Sequence, residues 1–253
     1  MSKTVALIQA RMSSSRFPGK VLETLEDVPL IVYMARRAAR ARRVDEAIVV
    51  TSTDVSDDPL TEALHQASVP VFRGNLADVL QRYADAAQAC AADTIVRLTG
   101  DCPLIDPDVI DAVVATRERA GADYASNVDP PTFPDGLDVE CFTREALERA
   151  QQQATRGPER EHVTLWMRDP ASGLARANHR AASDLSQLRL TVDYPDDLRA
   201  VRRIVAALHD RATFDLHDIL RVLAAHPEIL AMNPHARNEG LASSLAQEQE
   251  GGA

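Results

Sequence analysis

The sequence predicts a doubly wound α/β fold built on a mostly parallel sheet, and two observations carry that prediction. Apolar runs such as TVALIQA (4–10), EAIVVTS (46–52) and TIVRLTGD (94–101) are continuous rather than alternating, as in strands buried on both faces. Segments of helical period separate them, which is the spacing of βαβ units. Right-handed crossovers then place helices on both sides of the sheet.

The elements follow in order. After the strand at 4–10, a helix is expected over 29–42, opening at Pro29, because proline suits a first helical turn. The strand 46–52 leads to a helix at 58–66, a short strand VPVF (69–72) and a helix over 76–90. The strand 94–101 is followed by a helix over 107–120, again opened by proline. DYASN (123–127) has strand character, whereas VDPPTFPDG (128–136), with three prolines and a glycine, is a run of turns. LDVECF (137–142) returns to strand before a helix from Thr143. Leu198, Val201, Ile204, Val205 and Leu208 share one face of a helix after Pro195. The sequence thus reads as one domain over 1–240. The tail 241–253 is polar, lacks aromatics and is expected to be disordered.

Composition narrows the function. Lys+Arg is 28 against Asp+Glu 38, a net charge of -10, which argues against broad binding to nucleic acid or anionic membranes. Three widely spaced cysteines, Cys90, Cys102 and Cys141, form neither a disulfide framework nor a zinc motif, and suit a reducing compartment. Neither a signal peptide nor a membrane-length apolar run is visible, so a cytoplasmic location is expected.

The first loop, QARMSSSRFPGKVL (9–22), places Arg11, Arg16 and Lys20 among serines directly after a strand. Ligands of open α/β sheets sit beyond the carboxyl ends of strands. Arginine forks, a lysine ammonium and serine hydroxyls can together hold a triphosphate. The bland alternative is an exposed basic loop. A Walker A loop is excluded, because Ser14 stands at the earlier glycine position and Val21 follows Lys20. No G-x-G-x-x-G follows the strand either.

Asp101 and Asp193 each follow an apolar run and precede a turn. A carboxylate from each of two distant strands suits Mg²⁺ held against phosphates; a helix cap or turn residue is the alternative. The D-x-D at Asp106–Asp108 opens a helix at Pro107 and reads as capping. Arg36, Arg37, Arg40, Arg42 and Arg43 read as a solvated face.

The loop and the further stretches VFRGNLADVLQRY (71–83), IVRLTGDCPLID (95–106), FPDGLDVE (133–140), EREHVT (159–164) and LTVDYPDDL (190–198) together resemble the cytidylyltransferases that make CMP-activated acidic sugars. These are the 3-deoxy-manno-octulosonate and acylneuraminate synthetases, and the nearer likeness is to the spore-coat polysaccharide biosynthesis branch. The pattern A-R-x-x-S-x-R-x-P-x-K-x-L is matched from Ala10 to Leu22, and the likeness spans most of residues 4–200.

The resemblance implies a nucleotide-diphospho-sugar transferase fold with a small β-containing acceptor and dimerisation insertion at about 124–185, and a homodimer. It implies Mg²⁺-dependent transfer of CMP from CTP to a small acidic acceptor, with Mg²⁺ on Asp101 and Asp193. Ala10, Arg11, Ser14, Arg16, Lys20, Arg73 and Arg97 would meet the nucleotide, with Arg11, Lys20 and Asp101 central to the chemistry. Arg82, Asp135, Asp138, Glu140, Arg160 and His162 would face the acceptor. Several have plainer readings: Arg82 as a solvated helix residue, Arg97 as a structural ion pair, and the charges of EREH as a surface of paired side chains. A glycosyltransferase using a nucleotide sugar is the competing function, as is a nucleotidyltransferase acting on a sugar phosphate or phosphonate.

Overall fold

The computed structural model describes residues 2–210, 213–237 and 239–251. The first half runs β1 (Thr4–Gln9), a small hairpin of β2 (Thr24–Leu25) and β3 (Val28–Pro29), α1 (Leu30–Ala38), β4 (Glu46–Ser52), α2 (Asp58–Gln66), β5 (Val71–Gly74), α3 (Val79–Ala89), β6 (Thr94–Thr99) and α4 (Pro107–Ala120). The second half carries β7 (Tyr124–Ser126), β8 (Glu140–Thr143), α5 (Arg144–Gln153), α6 (Gly157–Glu161), α7 (Leu165–Arg168), β9 (Arg176–Asn178), α8 (Pro195–Ala207), α9 (Leu216–Ala225) and α10 (Glu239–Gly251).

The strands form one sheet in the order β5-β4-β1-β6-β8-β7-β9. β5, β4, β1 and β6 are mutually parallel, and β8 is antiparallel to both of its neighbours. Reversal of that strand alone has a geometric result. Its first residue, Glu140, stands opposite Arg97 of β6 and Ser126 of β7, at the edge where the parallel strands end.

Alternation along β1 explains why both faces are covered. Ala6 and Ile8 pack with Met34 of α1, Ile110 of α4 and Val201 of α8. Val5 and Leu7 pack with Leu80 and Tyr83 of α3 and with Leu147 of α5. Each fully buried Leu or Ile contributes roughly 1.5–3 kcal/mol, so the central strand is held from both sides.

Local signals set the helix bounds. Asp106 caps α4 by accepting from the Asp108 N–H at 2.8 Å, and Gly121 ends it at φ 57°. Thr143 caps α5 through the Ala146 N–H at 3.1 Å. α1 stops at Ala38 rather than at residue 42 because the chain turns to donate the Arg42 and Arg43 N–H groups to Asp111, at 3.1 and 2.8 Å.

Two expectations are corrected. Arg37 is not on a solvated face: it is buried, donates to the Ile105 and Phe214 carbonyls, and lies 3.6 Å from the Phe214 ring centroid. The tail, expected to be disordered, is helical over Glu239–Gly251. Its Ala, Leu, Glu and Gln favour helix, and contacts pin it: Ser244 donates to Glu161 at 3.0 Å and Glu248 accepts from Arg156 at 3.1 Å. Among the described residues no helix is long and apolar enough to cross a membrane.

The reversed strand is fixed by a buried ionic cluster. Glu140 accepts from Arg97 at 2.5 Å, from Arg168 at 2.7 Å and from the Tyr124 hydroxyl at 2.6 Å. Burial would raise its pKa, but Arg168 and Arg97 outweigh burial and hold it down at about 2. Glu140→Gln leaves two guanidiniums undercompensated and is expected to cost roughly 3–5 kcal/mol at pH 7. The depressed pKa makes this stabilisation present above the ordinary value of 4.5 and lost as pH falls through about 2. Thermal melts of the two proteins should therefore converge over that window, and parallel curves would contradict the assignment.

Gly136 supplies a second test. Its φ is +105°, and a Cβ there would lie 2.6 Å from the backbone of Leu190 and Thr191, beside the bridge that pairs Asp135 with Arg189. Gly136→Ala should cost roughly 2–3 kcal/mol. A melting temperature lower by about 5–10 °C is expected; no change would show that the bridge is dispensable.

Candidate active site

The loop after β1 is shaped by its own backbone. The Ser14 and Gly19 N–H groups both donate to the Met12 carbonyl, and the Met12 N–H donates to the buried Asp57 at 2.7 Å. Gly19, at φ 74°, then leads into a tight turn over Lys20–Leu22 that sends Lys20 inward. Arg11 stays half exposed, 3.9 Å from Glu161.

Lys20 is the centre of the cleft. Its Nζ donates to Asp193 Oδ1 at 2.9 Å, to Asp101 Oδ2 at 3.3 Å and to the Val192 carbonyl at 2.7 Å. Burial favours the neutral amine, but the two carboxylates outweigh it and leave the pKa raised. Asp101 shows the reciprocal effect: burial pushes it up, yet Lys20 and the Thr99 and Cys102 side chains hold it at about 2. The Val192 N–H donates to the Asp101 carbonyl at 2.8 Å, so main chain fixes the spacing of the two acidic segments.

Asp193 is not a cap. That work falls to Asp197, which accepts from the Asp193 and Tyr194 N–H groups at 2.8 and 2.9 Å. The Asp193 carboxylate faces Lys20, Arg16 at 2.6 Å and Arg189 at 3.1 Å. Asp106, the first residue of the D-x-D, is the cap of α4 and also accepts from the Leu216 N–H at 2.7 Å, so it serves structure.

Two cavities meet at these carboxylates. The larger, about 460 Å³, is lined by Ala10, Arg11, Ser14, Arg16, Lys20, Arg97, Asp101, His162 and Asp193. The smaller, about 180 Å³, shares Arg16, Arg97, Asp101, His162 and Asp193 and adds Asp135, Asp138, Glu140 and Arg168. Burial and the adjacent Asp138 push Asp135 up to about 7, against Arg237 and Arg189. Burial likewise raises Asp138 to about 6, although Arg237 pairs with it. His162, whose Nε2 lies 3.1 Å from the Ser244 hydroxyl, is shifted down by burial, partly offset by Glu161.

Three sequence candidates lie elsewhere. Arg73 donates to the Ser52 and Asp54 carbonyls and pairs with Asp58 at 2.7 Å. Arg82 is buried, not solvated, and donates to the Asn75 carbonyl at 2.5 Å. Arg160 pairs with Asp78 and donates to the Gln151 carbonyl at 2.9 Å. Arg73 and Arg160 are occupied by backbone and carboxylate, Arg82 by one carbonyl with its Nε and Nη2 buried and unpartnered among the described residues, and none lines either cavity. Arg97 and Glu140 line the cleft but are committed to each other.

Sequence reasoning missed Arg168, Arg189, Arg237 and Glu239. Arg189 had a signal, a charge inside LRLTVD; the others lie in segments with no pattern. Glu239 accepts from Tyr194 at 2.8 Å and from Arg16 at 3.4 Å, bringing α10 against the loop after β1.

The donor set fits a divalent cation. An ammonium already lies between Asp101 and Asp193, and Mg²⁺ takes one or two carboxylates beside substrate phosphates. Among the described residues no group of three or more His, Cys, Asp or Glu converges, so the remaining ligands would have to be phosphate and water.

The chain is similar to known proteins in sequence and in fold. The family model described as cytidylyltransferase matches residues 5–198. The spore coat polysaccharide biosynthesis protein SpsF of Bacillus subtilis is 28% identical over 236 residues, covering 90% of this chain and 97% of its own. The 3-deoxy-manno-octulosonate cytidylyltransferase of Anaeromyxobacter sp. (strain K) is 30% identical over 244 residues, 82% of this chain and 99% of its own. A cytidylyltransferase structure from Leptospira borgpetersenii superposes with a TM-score of 0.87 at 30% identity, covering 94% of this chain and all of that one. The family match over most of the chain, with relatives and a solved structure at about this level of identity covered nearly end to end, shows that the chain belongs to the cytidylyltransferase family of nucleotidyltransferases.

Proposed function

We propose that the chain transfers CMP from CTP to an acidic sugar, with release of pyrophosphate, in the synthesis of a surface polysaccharide. The observation that carries this reading is the pair of cavities meeting at Asp101 and Asp193, with Lys20 lining the larger. One compartment is rimmed by Arg11 and Ser14, the other by Asp135 and Asp138, and Asp101, Asp193, Arg16 and His162 stand between them.

Transfer requires an acceptor hydroxyl oxygen to attack the α-phosphorus of CTP while the bond to the bridging oxygen of pyrophosphate breaks. Such chemistry depends on alignment and on neutralising charge. Arg11, Arg16 and Ser14 would bind the β- and γ-phosphates, and Lys20 would neutralise charge on the departing pyrophosphate. Asp101 and Asp193 would hold Mg²⁺, which when bound polarises the α-phosphate. Asp135 and Asp138 would accept hydrogen bonds from acceptor hydroxyls, and His162 would donate to a further oxygen. Acidic sugars enter this reading through the relatives' names and through Arg168 in the acceptor compartment.

The deciding experiment measures pyrophosphate release with Mg²⁺, each of the four ribonucleoside triphosphates, and a panel of sugar acids, sugar phosphates and phosphonates. Release with CTP and a sugar acid is expected. Asp101→Asn and Lys20→Ala should each lower turnover by at least about 100-fold while the circular dichroism spectrum is kept. Ordinary turnover in either folded variant, or silence across the panel with tight binding of a nucleotide sugar, would sink the reading.

A further inference from the structure

Arg189 does not line either cavity, yet it is the most fully bonded side chain near them. It is buried, and each of its five N–H donors has an acceptor. Nε and Nη2 grip the two oxygens of Asp197, each at 2.9 Å. Nη2 also donates to Asp193 Oδ2 at 3.1 Å. Nη1 donates to Asp135 Oδ2 at 2.9 Å and to the Ala236 carbonyl at 3.2 Å. A planar guanidinium has five donors in fixed directions, so one rigid group holds three carboxylates from three segments.

Those carboxylates have different places. Asp193 stands where the cavities meet and Asp135 on the acceptor side, while Asp197 closes the first turn of α8. Because Arg189 takes Asp193 Oδ2, the other oxygen, Oδ1, is the one turned toward Lys20 and Arg16. Outer partners of this kind orient a metal-binding carboxylate.

We propose that Arg189 is the positioning residue that sets the metal-side carboxylate Asp193 and the acceptor-side carboxylate Asp135 in register. The inference rests on the cytidylyltransfer reading of the cleft. Lysine at this position keeps the charge but has a single nitrogen at the end of a flexible stem, so it cannot span Asp135, Asp193 and Asp197 at once. The role is therefore one of geometry, and charge alone does not supply it.

The test is Mn²⁺ binding in the presence of CTP, followed by electron paramagnetic resonance, with steady-state kinetics beside it. Arg189→Lys is expected to weaken Mn²⁺ by about 10-fold or more and to lower kcat by a similar factor, with the KM for CTP within about twofold and the melting profile cooperative. Unchanged Mn²⁺ affinity in that folded variant overturns the proposal. If Arg189→Lys does not fold, Asp135→Glu decides, since it keeps the charge and shifts the carboxylate by one methylene. At least threefold weaker Mn²⁺ is expected, though Asp135 makes no bond to Asp193, and unchanged affinity again overturns the proposal. Wild-type protein that binds no Mn²⁺ with CTP overturns the catalytic reading and this inference with it; wild-type binding with indifferent variants overturns the inference alone.

Discussion

An ammonium buried between two carboxylates holds this molecule's cleft together. Lys20, Asp101 and Asp193 come from the loop after β1, the turn after β6 and the segment before α8, up to 173 residues apart in sequence. Two partly buried carboxylates facing each other would repel, and a buried lysine alone would lose its proton. Together they compensate, and the two flanking cavities open on either side of the trio. The main-chain bond from Val192 to Asp101 and the Arg189 cluster extend the same arrangement outward.

Charge is arranged here by pairing rather than by net excess. The chain carries ten more acidic than basic residues, yet the cleft alternates signs at bonding distance. Arg97 and Arg168 converge on Glu140, Arg237 on Asp138, and Arg189 on three aspartates. Bulk composition predicts poor affinity for polyanions at large. A single triphosphate, as proposed for this cleft, would be recognised on a smaller scale, by side chains whose partners position them.

Much of the fold was legible because it rests on local rules. α2 and α4 have the bounds read from sequence, each opened by proline and an acidic residue. The continuous apolar strands reported their double burial. Long-range geometry was not legible. Nothing in LDVECF states that β8 runs against its neighbours, or that Glu140 thereby meets two arginines. Arg37 looked solvated because its partners, the Ile105 and Phe214 carbonyls, are far away in sequence. The cleft followed the same division: Lys20, Asp101 and Asp193 sit in motifs at strand ends. Arg73, Arg82 and Arg160 lie in the other matching stretches, VFRGNLADVLQRY and EREHVT, and each found a nearer carbonyl or carboxylate.

Cys102, next to Asp101, has a consequence for redox chemistry. Its Sγ donates to Asp101 Oδ1 at 3.4 Å and lies 3.4 Å from the Thr99 hydroxyl. Burial, with Asp101 beside it, pushes the thiol well above its usual range. Burial does the same to Cys141, up to about 12. Thiol reactivity follows the thiolate fraction, so both sulfurs are poor nucleophiles at neutral pH. The cleft thus keeps a cysteine beside Asp101 in a form that resists oxidants and electrophiles, and the protonated sulfur adds a donor where a thiolate would have added an unwanted charge.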